Sequence, residues 1–209
     1  MILTPVKTPL LVKKMFPNYI WNIPTTSKTI YLTFDDGPTP EITNWTLNIL
    51  NQYNAKATFF CIGNNIEKQP DVFQNILNNG HTIGNHTYNH IKGWKTKTKD
   101  YLNNVALCDT VLKSQNSKLF RPPYGQLKPK QGKQLIELGY KIIMWDVLSL
   151  DWDKNVTPEA CFNNVISKTK NGSIIVFHDS IKASKNMKFA LPKVLEYFSE
   201  KGYNFKAID

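Results

Sequence analysis

The sequence has few cysteines and no long hydrophobic run. Its three cysteines, Cys61, Cys108 and Cys161, are far apart, odd in number and free of any CxxC pair, which argues against a disulfide framework and a thiolate metal site. We expect each to be a small buried hydrophobic residue. No stretch approaches the roughly 20 apolar residues of a membrane span, and residues 1–17 hold no apolar run of signal-peptide length. The chain is therefore predicted to lack a membrane span and to be cytoplasmic by default, with export by another route left open.

The composition indicates one folded, basic domain. The chain has 209 residues, of which 41% are hydrophobic and 12% aromatic, and these fractions argue against disorder. Lysine and arginine number 26 against 16 acidic residues, giving a net charge of +10. Such a charge favours anionic partners, among them nucleic acid, acidic glycans and membrane surfaces. The lysines are scattered, however, and the one dense cluster, at residues 92–99 around Trp94, is short. We therefore expect no nucleic-acid partner.

Short apolar segments alternate with longer amphipathic ones, a pattern typical of an α/β fold with parallel strands. The predicted strands are 29–34, 57–62, 81–84, 118–120, 141–145, 173–177 and 204–207. The predicted helices are 41–52, 71–78, 99–112, 130–138, one starting near Pro158 with Thr157 as its N-cap, and 191–200. Roughly seven βα units predict a barrel close to the eightfold (β/α) barrel, with an open doubly wound sheet as the alternative. Residues 1–28 are predicted to be an extension that packs on a single domain at 29–209.

The polar residues that look reactive directly follow predicted strands. The carboxyl ends of parallel strands converge on one face of an α/β fold, and that face carries the chemistry. Five separate segments therefore point to one site. The residues concerned are Asp35, Asp36, His86, Arg121, Asp151 and His178.

Two of the four histidines, His86 and His90, lie four residues apart. On a helical turn, residues at this spacing share one face, so both imidazoles are predicted to reach one metal ion. The pattern is not HExxH, because Thr87 follows the first histidine. The third ligand and a general base must come from elsewhere, and Asp35 and Asp36 can supply both.

A carboxylate with two imidazoles is an open, catalytic type of metal site. Zinc is the default expectation, and cobalt, nickel, manganese or iron also bind such ligands. The segment from Asp35 to Pro38 also fits a tight turn, but adjacent acids repel each other unless a cation compensates them. A phosphatase of the haloacid dehalogenase type is disfavoured, because Phe34 stands two residues before Asp36 and the aspartyl nucleophile of that class would be absent.

Taken together, these segments resemble the polysaccharide deacetylases of carbohydrate esterase family four. The resemblance extends from about residue 29 to the C-terminus and depends on five motifs in order. They are Thr33-Phe34-Asp35-Asp36-Gly37-Pro38, His86-Thr87-Tyr88-Asn89-His90, Arg121-Pro122-Pro123-Tyr124-Gly125, Asp151-Trp152 and Val176-Phe177-His178. The resemblance implies a distorted (β/α) barrel of about seven strands.

The resemblance also implies a role for each motif residue. The implied metal ligands are Asp36, His86 and His90; the general base is Asp35, oriented by Arg121; and the general acid is His178, tuned by Asp151. The backbone N–H of Tyr124 would stabilise the oxyanion. The implied substrate-binding residues are Tyr124, Trp152, Pro123 and Val176.

Two departures from the family pattern affect which substrate is expected. Neither replaces a residue with an implied catalytic or metal-binding role. The position three residues before the Asp-Trp pair usually carries an acid and is Leu148 here, with Asp146 nearby in a different register. Val176 replaces a frequent leucine in the wall of the acetyl pocket.

The expected function is therefore metal-dependent hydrolysis of N-acetyl groups from N-acetylhexosamine glycans, either chitin oligomers or peptidoglycan, by a monomer. The alternatives are an O-acetyl esterase acting on acetylated xylan and a catalytically silent glycan-binding protein.

Overall fold

The computed structural model describes residues 4–112 and 118–209, so residues 1–3 of the predicted extension lie outside it. Within these ranges there are eight strands: β1 Thr29–Asp35, β2 Ala57–Cys61, β3 Thr82–Asn85, β4 Leu119–Phe120, β5 Lys141–Ile142, β6 Val147–Leu148, β7 Ile174–His178 and β8 Asn204–Phe205. The α-helices of the same ranges are α1 Leu10–Met15, α2 Ile42–Gln52, α3 Gly63–Lys68, α4 Pro70–Asn78, α5 Thr98–Leu112, α6 Pro129–Glu137, α7 Pro158–Lys168 and α8 Ser184–Glu200. Two short 3₁₀ turns cover Gly93–Lys95 and Pro123–Gly125.

The strands form one parallel sheet that curls into a distorted barrel. Its order is β5-β4-β3-β2-β1-β7-β6, with β8 paired to the start of β1. The two edge strands are consecutive in the chain, because β5 ends at Ile142 and β6 begins at Val147. A flat sheet seven strands across would hold its edges about 29 Å apart, whereas five peptide steps span at most about 18 Å. The sheet must therefore curl, which confirms the predicted barrel and excludes the open doubly wound alternative.

The N-terminal segment, defined here as residues 4–22, lies along both edges of the curled sheet. Ile20 bridges Ile143 just beyond β5, and Lys7 bridges Val147 in β6. The amide of Thr8 donates to the carbonyl of Asp146 at 3.0 Å. The segment therefore occupies the seam where β5 and β6 face each other.

The centre of the sheet is almost wholly buried. Every residue of β2 is buried, and Phe34 of β1 stacks on Phe59 of β2 with ring centroids 4.9 Å apart. Strands covered on both faces are expected to be continuous apolar runs rather than alternating ones. All three cysteines are free and buried, as predicted. Within the described residues, no helix combines the length and apolar character needed to cross a membrane.

The predicted elements differ from the observed ones mainly at proline and at short segments. Helix α8 begins at Ser184 rather than 191 and continues through Pro192, because buried residues on both sides of the proline, such as Met187 and Val194, offset the lost hydrogen bond and the crowding that proline causes in a helix. The predicted strand 141–145 ends at Ile142, and the chain resumes pairing as β6. Helices α1 and α3 have six residues each and were not predicted.

One buried carboxylate binds two lysines of the N-terminal segment and helps to hold it in place. Asp146 is 3% exposed and accepts hydrogen bonds from Lys7 Nζ, Lys13 Nζ and Ser173 Oγ. Burial alone would raise the pKa of Asp146, but these donors outweigh it and hold the pKa below its usual range. The carboxylate thus stabilises the fold when it is ionised.

We predict that Asp146→Asn lowers the unfolding free energy by about 1–3 kcal/mol and the Tm by about 2–10 °C, because the two lysines lose the negative charge and one of its two acceptor oxygens. The folded pKa is depressed, so this stabilisation is present above the ordinary pKa of 3.8 and is lost as the pH falls through the folded value. Thermal unfolding from pH 3 to pH 7 measures the effect.

The matched control is Glu137→Gln, which removes an exposed ion pair with Lys133 at 3.9 Å. Its effect should stay within about 0.5 kcal/mol. Equal losses of Tm in the two variants would contradict the assigned role of Asp146.

Candidate metal centre and active site

The carboxyl end of β1 presents two adjacent carboxylates to one cavity. Asp35 is the last residue of β1, and Asp36 follows with a positive φ of 81°. Non-glycine residues rarely adopt this conformation, and where they do it is often at functional sites. Buried Asp179 accepts a hydrogen bond from the amide of Gly37 at 3.1 Å and holds the turn. A Cβ at Gly37 would lie 2.1 Å from the Asp179 carboxylate, so only glycine fits there.

His86 and His90 converge through an irregular loop. The predicted helical turn is wrong, because Thr87 and His90 have positive φ values of 62° and 53°. The loop is held by Asn104, whose Oδ1 accepts from the amides of Tyr88 and Asn89 at 3.0 Å each. The two imidazoles nevertheless meet, with ring centroids 5.0 Å apart. The two histidines therefore converge as predicted, but through the geometry of a loop and not through a helical turn.

Asp36, His86 and His90 form a site that could hold one metal ion. Asp36 Oδ1 lies 3.7 Å from His86 Nε2 and 3.2 Å from His90 Nε2, and the three ligand atoms all lie within 4.8 Å of one another. Two ligands about 2.1 Å from one tetrahedral ion would be about 3.4 Å apart. The spacing and the N/N/O donor set therefore fit a divalent cation.

The protonation of the triad also suits a metal. Burial lowers the pKa of His86 to about 4, so its imidazole is neutral at neutral pH. Its Nδ1 donates to the carbonyl of Arg121 at 2.8 Å, which leaves Nε2 unprotonated and facing Asp36. Burial would raise the pKa of Asp36, but the hydrogen bond to His90 and the neighbouring histidines hold it below its usual range.

Asp35 is fixed by an ion pair inside the barrel. Arg121 has no exposed surface, and its Nη1 donates to Asp35 Oδ1 and to Thr33 Oγ1 at 2.7 Å each. Its Nε and Nη2 donate to the carbonyls of Ile143 and Met144 at 3.1 and 2.8 Å. Asp35 Oδ2 makes no hydrogen bond to the described part of the chain, and the carboxylate lines the cavity. The free oxygen can therefore accept a proton.

His178, at the end of β7, is paired with a buried carboxylate. Its Nδ1 lies 2.9 Å from Asp151 Oδ1, and its amide donates to Asp151 Oδ2 at 2.7 Å. Burial would lower the pKa of His178, but the charge and hydrogen bond of Asp151 outweigh it and raise the pKa to about 9. The Trp152 ring stands edge-on against the imidazole at 4.7 Å. His178 is therefore protonated at neutral pH, with Nε2 left to donate.

These groups surround one cavity of about 500 Å³. Tyr124 is 56% exposed at its rim, with φ 58° and its ring 4.6 Å from that of His90. Of the predicted site residues, those that line the cavity are Asp35, Asp36, His86, His90, Tyr124, Trp152, Val176 and His178. Arg121 and Asp151 lie behind them and contact Asp35 and His178 respectively. Pro122 lines the cavity, whereas Pro123 is buried beside it.

The structure adds cavity residues that the sequence interpretation did not name as site residues. Thr4, Trp145 and Lys182 line the cavity, as does Leu148 in place of the usual acid. Asp146 does not replace that acid, because it faces the N-terminal lysines. The buried Asp179 was also missed, although it directly follows His178, the last residue of the fifth motif.

Comparisons with known proteins agree with this geometry. A family model described as polysaccharide deacetylase matches residues 22–143. A peptidoglycan-N-acetylglucosamine deacetylase of Bacillus cereus is 34% identical over 205 residues, covering 95% of this chain and 96% of the relative. The peptidoglycan-N-acetylmuramic acid deacetylase PdaA of Bacillus subtilis is 31% identical over 206 residues, covering 95% of this chain and 76% of the relative.

Among solved structures, the Bc1960 peptidoglycan N-acetylglucosamine deacetylase superposes with a TM-score of 0.88 at 34% identity, covering 96% of this chain and 95% of that one. The sequence motifs, the curled barrel and the three-residue metal centre therefore agree with one another. The chain belongs to the polysaccharide deacetylase family, carbohydrate esterase family four.

Proposed function

We propose that this protein hydrolyses N-acetyl groups of N-acetylhexosamine residues in peptidoglycan, releasing acetate and leaving free amino sugars. The observation that carries the proposal is the convergence of a three-ligand metal centre, a fixed carboxylate and a protonated histidine on one cavity. The relatives named as peptidoglycan deacetylases support this substrate over chitin oligomers. Polymeric peptidoglycan lies outside the cytoplasm, so this substrate requires export, whereas soluble fragments are compatible with the cytoplasmic prediction.

Asp36, His86 and His90 would hold the divalent cation, with zinc proposed first and cobalt, nickel or manganese as alternatives. When bound, such a cation polarises an acyl carbonyl and lowers the pKa of water. The neutral state of His86 and the ionised state of Asp36 are those that ligation requires.

Asp35 is the proposed general base. Arg121 occupies Oδ1 and four hydrogen bonds fix the guanidinium, so Oδ2 faces the cavity in one orientation. A positioned base that accepts a proton from the attacking water contributes about 10²- to 10⁴-fold to the rate.

His178 is the proposed general acid. Its Nδ1 is bonded to Asp151, so its Nε2 is the nitrogen that donates a proton to the leaving amine. Cleavage of an amide needs such a donor, because an unprotonated amide anion is a poor leaving group. The backbone N–H of Tyr124 is proposed to stabilise the oxyanion, and Trp152, Val176 and Leu148 would surround the acetyl group.

The two alternatives are less well supported. An O-acetyl esterase would use the same ligands, base and acid, and the relatives named as peptidoglycan deacetylases favour the N-acetyl substrate over it. A silent glycan-binding protein would not need the base, the acid and the ligands together. No observation favours a nucleic-acid partner, and the monomeric state stays a prediction.

The deciding experiment is acetate release from peptidoglycan fragments and chitin oligomers by chelator-stripped protein, with and without added zinc or cobalt. We predict no release without metal and restored release with it, because the carbonyl is otherwise not polarised. Asp36→Ala should neither bind metal nor recover. Full activity of the stripped protein, or metal binding without turnover on any fragment, would contradict the proposal.

We predict that Asp35→Asn lowers kcat by about 10²- to 10⁴-fold, because the amide cannot accept a proton. Metal binding should be retained, since Asp35 is not a ligand, and metal titration calorimetry tests this. Near-normal turnover by the variant would show that another group is the base.

We predict that Asp151→Asn moves the alkaline limb of the kcat–pH profile to lower pH. Without that charge, the pKa of His178 falls from about 9 towards its ordinary 6.5, so the protonated acid is lost at lower pH. Asp153→Asn is the matched control, because within the described residues that carboxylate accepts only from nearby Asn155. A uniform loss of rate with an unmoved limb would contradict the role of Asp151.

A further inference from the structure

One charged side chain that lines the cavity has no partner in the described residues. Asp35 is paired with Arg121, His178 with Asp151, and Asp36 with the two histidines. Lys182 lies four residues after His178, is exposed, and makes no ion pair or hydrogen bond within residues 4–112 and 118–209. The reaction proposed above does not use it.

A second unpaired lysine stands at the same rim. The Nζ of exposed Lys92 lies 4.8 Å from the centroid of the Tyr124 ring, and Tyr124 lines the cavity. Lys92 makes no ion pair within the described residues. It begins the basic cluster at 92–99, which also presents Trp94, 63% exposed. Two cations therefore border the cavity without acids to neutralise them.

We propose that Lys182, assisted by Lys92, binds a carboxylate carried by the glycan next to the reacting acetamido group. The inference depends on the proposed function and refines its substrate class. A glycan containing muramic acid carries a lactyl carboxylate, and stem peptides add more, whereas chitin carries none. The two lysines would thus favour peptidoglycan over a neutral N-acetylglucosamine polymer.

The two lysines at the rim differ from the other charged residues of the cavity. Asp35 is paired with Arg121, and His178 is paired with Asp151. Lys182 and Lys92 have no acid beside them in the described residues, so their charge is left to attract an anion. An exposed ammonium is a hydrated point charge on a flexible stem, and it contributes a modest, salt-dependent attraction. Charges at a rim act mainly on the association rate, and the net charge of +10 acts in the same direction.

The test compares kcat/KM for peptidoglycan-derived oligomers bearing carboxylates with that for chitin oligomers of equal length. Lys182→Gln should lower kcat/KM about two- to fivefold on the acidic oligomers and leave the neutral ones unchanged. Lys92→Gln combined with Lys182→Gln should lower it further and flatten its salt dependence. Lys206→Gln is the matched control, because Lys206 follows β8 at the start of β1, at the opposite end of the sheet.

A second measurement does not depend on turnover. Metal-stripped protein is titrated with the N-acetylglucosaminyl-N-acetylmuramic acid disaccharide and with neutral di-N-acetylchitobiose, so that the carboxylate cannot simply coordinate a metal. Preferential binding of the acidic disaccharide, lost in Lys182→Gln and kept in Lys206→Gln, supports the inference. Equal binding of both disaccharides, or the same change in both variants, overturns it, while metal-dependent acetate release from peptidoglycan fragments still upholds the proposed function.

Discussion

The ion pair between Arg121 and Asp35 is the interaction on which the site depends. A guanidinium without exposed surface connects β1, the end of β4 and the chain between β5 and β6. Removing either partner would leave an uncompensated charge inside the barrel, at a cost of about 3–5 kcal/mol. The carbonyl of Arg121 also accepts from His86, so the same residue orients the proposed base and one metal ligand. The contacts of Arg121 that hold the barrel closed therefore also align the proposed base and one proposed metal ligand.

Two histidines of the site have different protonation states at neutral pH. Burial keeps His86 neutral, with a pKa of about 4, whereas Asp151 raises the pKa of the partly buried His178 to about 9. One imidazole is prepared to donate an electron pair to a cation and the other to donate a proton. Their sequence surroundings do not show this, since the difference comes from a carboxylate 27 positions away in the chain.

The sequence predicted the elements with a strong local signal and missed those set by tertiary contacts. Buried strands such as β1 and β7 were found within one residue, because hydrophobic runs ending in polar residues are a local pattern. The loop geometry of His90 and the start of α8 before Pro192 were not, since positive φ and tolerated proline depend on partners elsewhere. The same holds for the site: the motifs named most of the charged residues that line the cavity, whereas Thr4 and Trp145 belong to no motif and reach the cavity through barrel closure.

The seam between β5 and β6 has a consequence for how the protein folds. Residues of the N-terminal segment are synthesised before the rest of this domain, yet Lys7 binds Asp146, 139 positions later. Contacts of such long sequence separation form slowly, because loop closure must precede them. Most of the domain must therefore be synthesised before this segment reaches its place in the fold. The wall of the cavity that carries Thr4 and Trp145 is expected to be completed only after this late contact has formed.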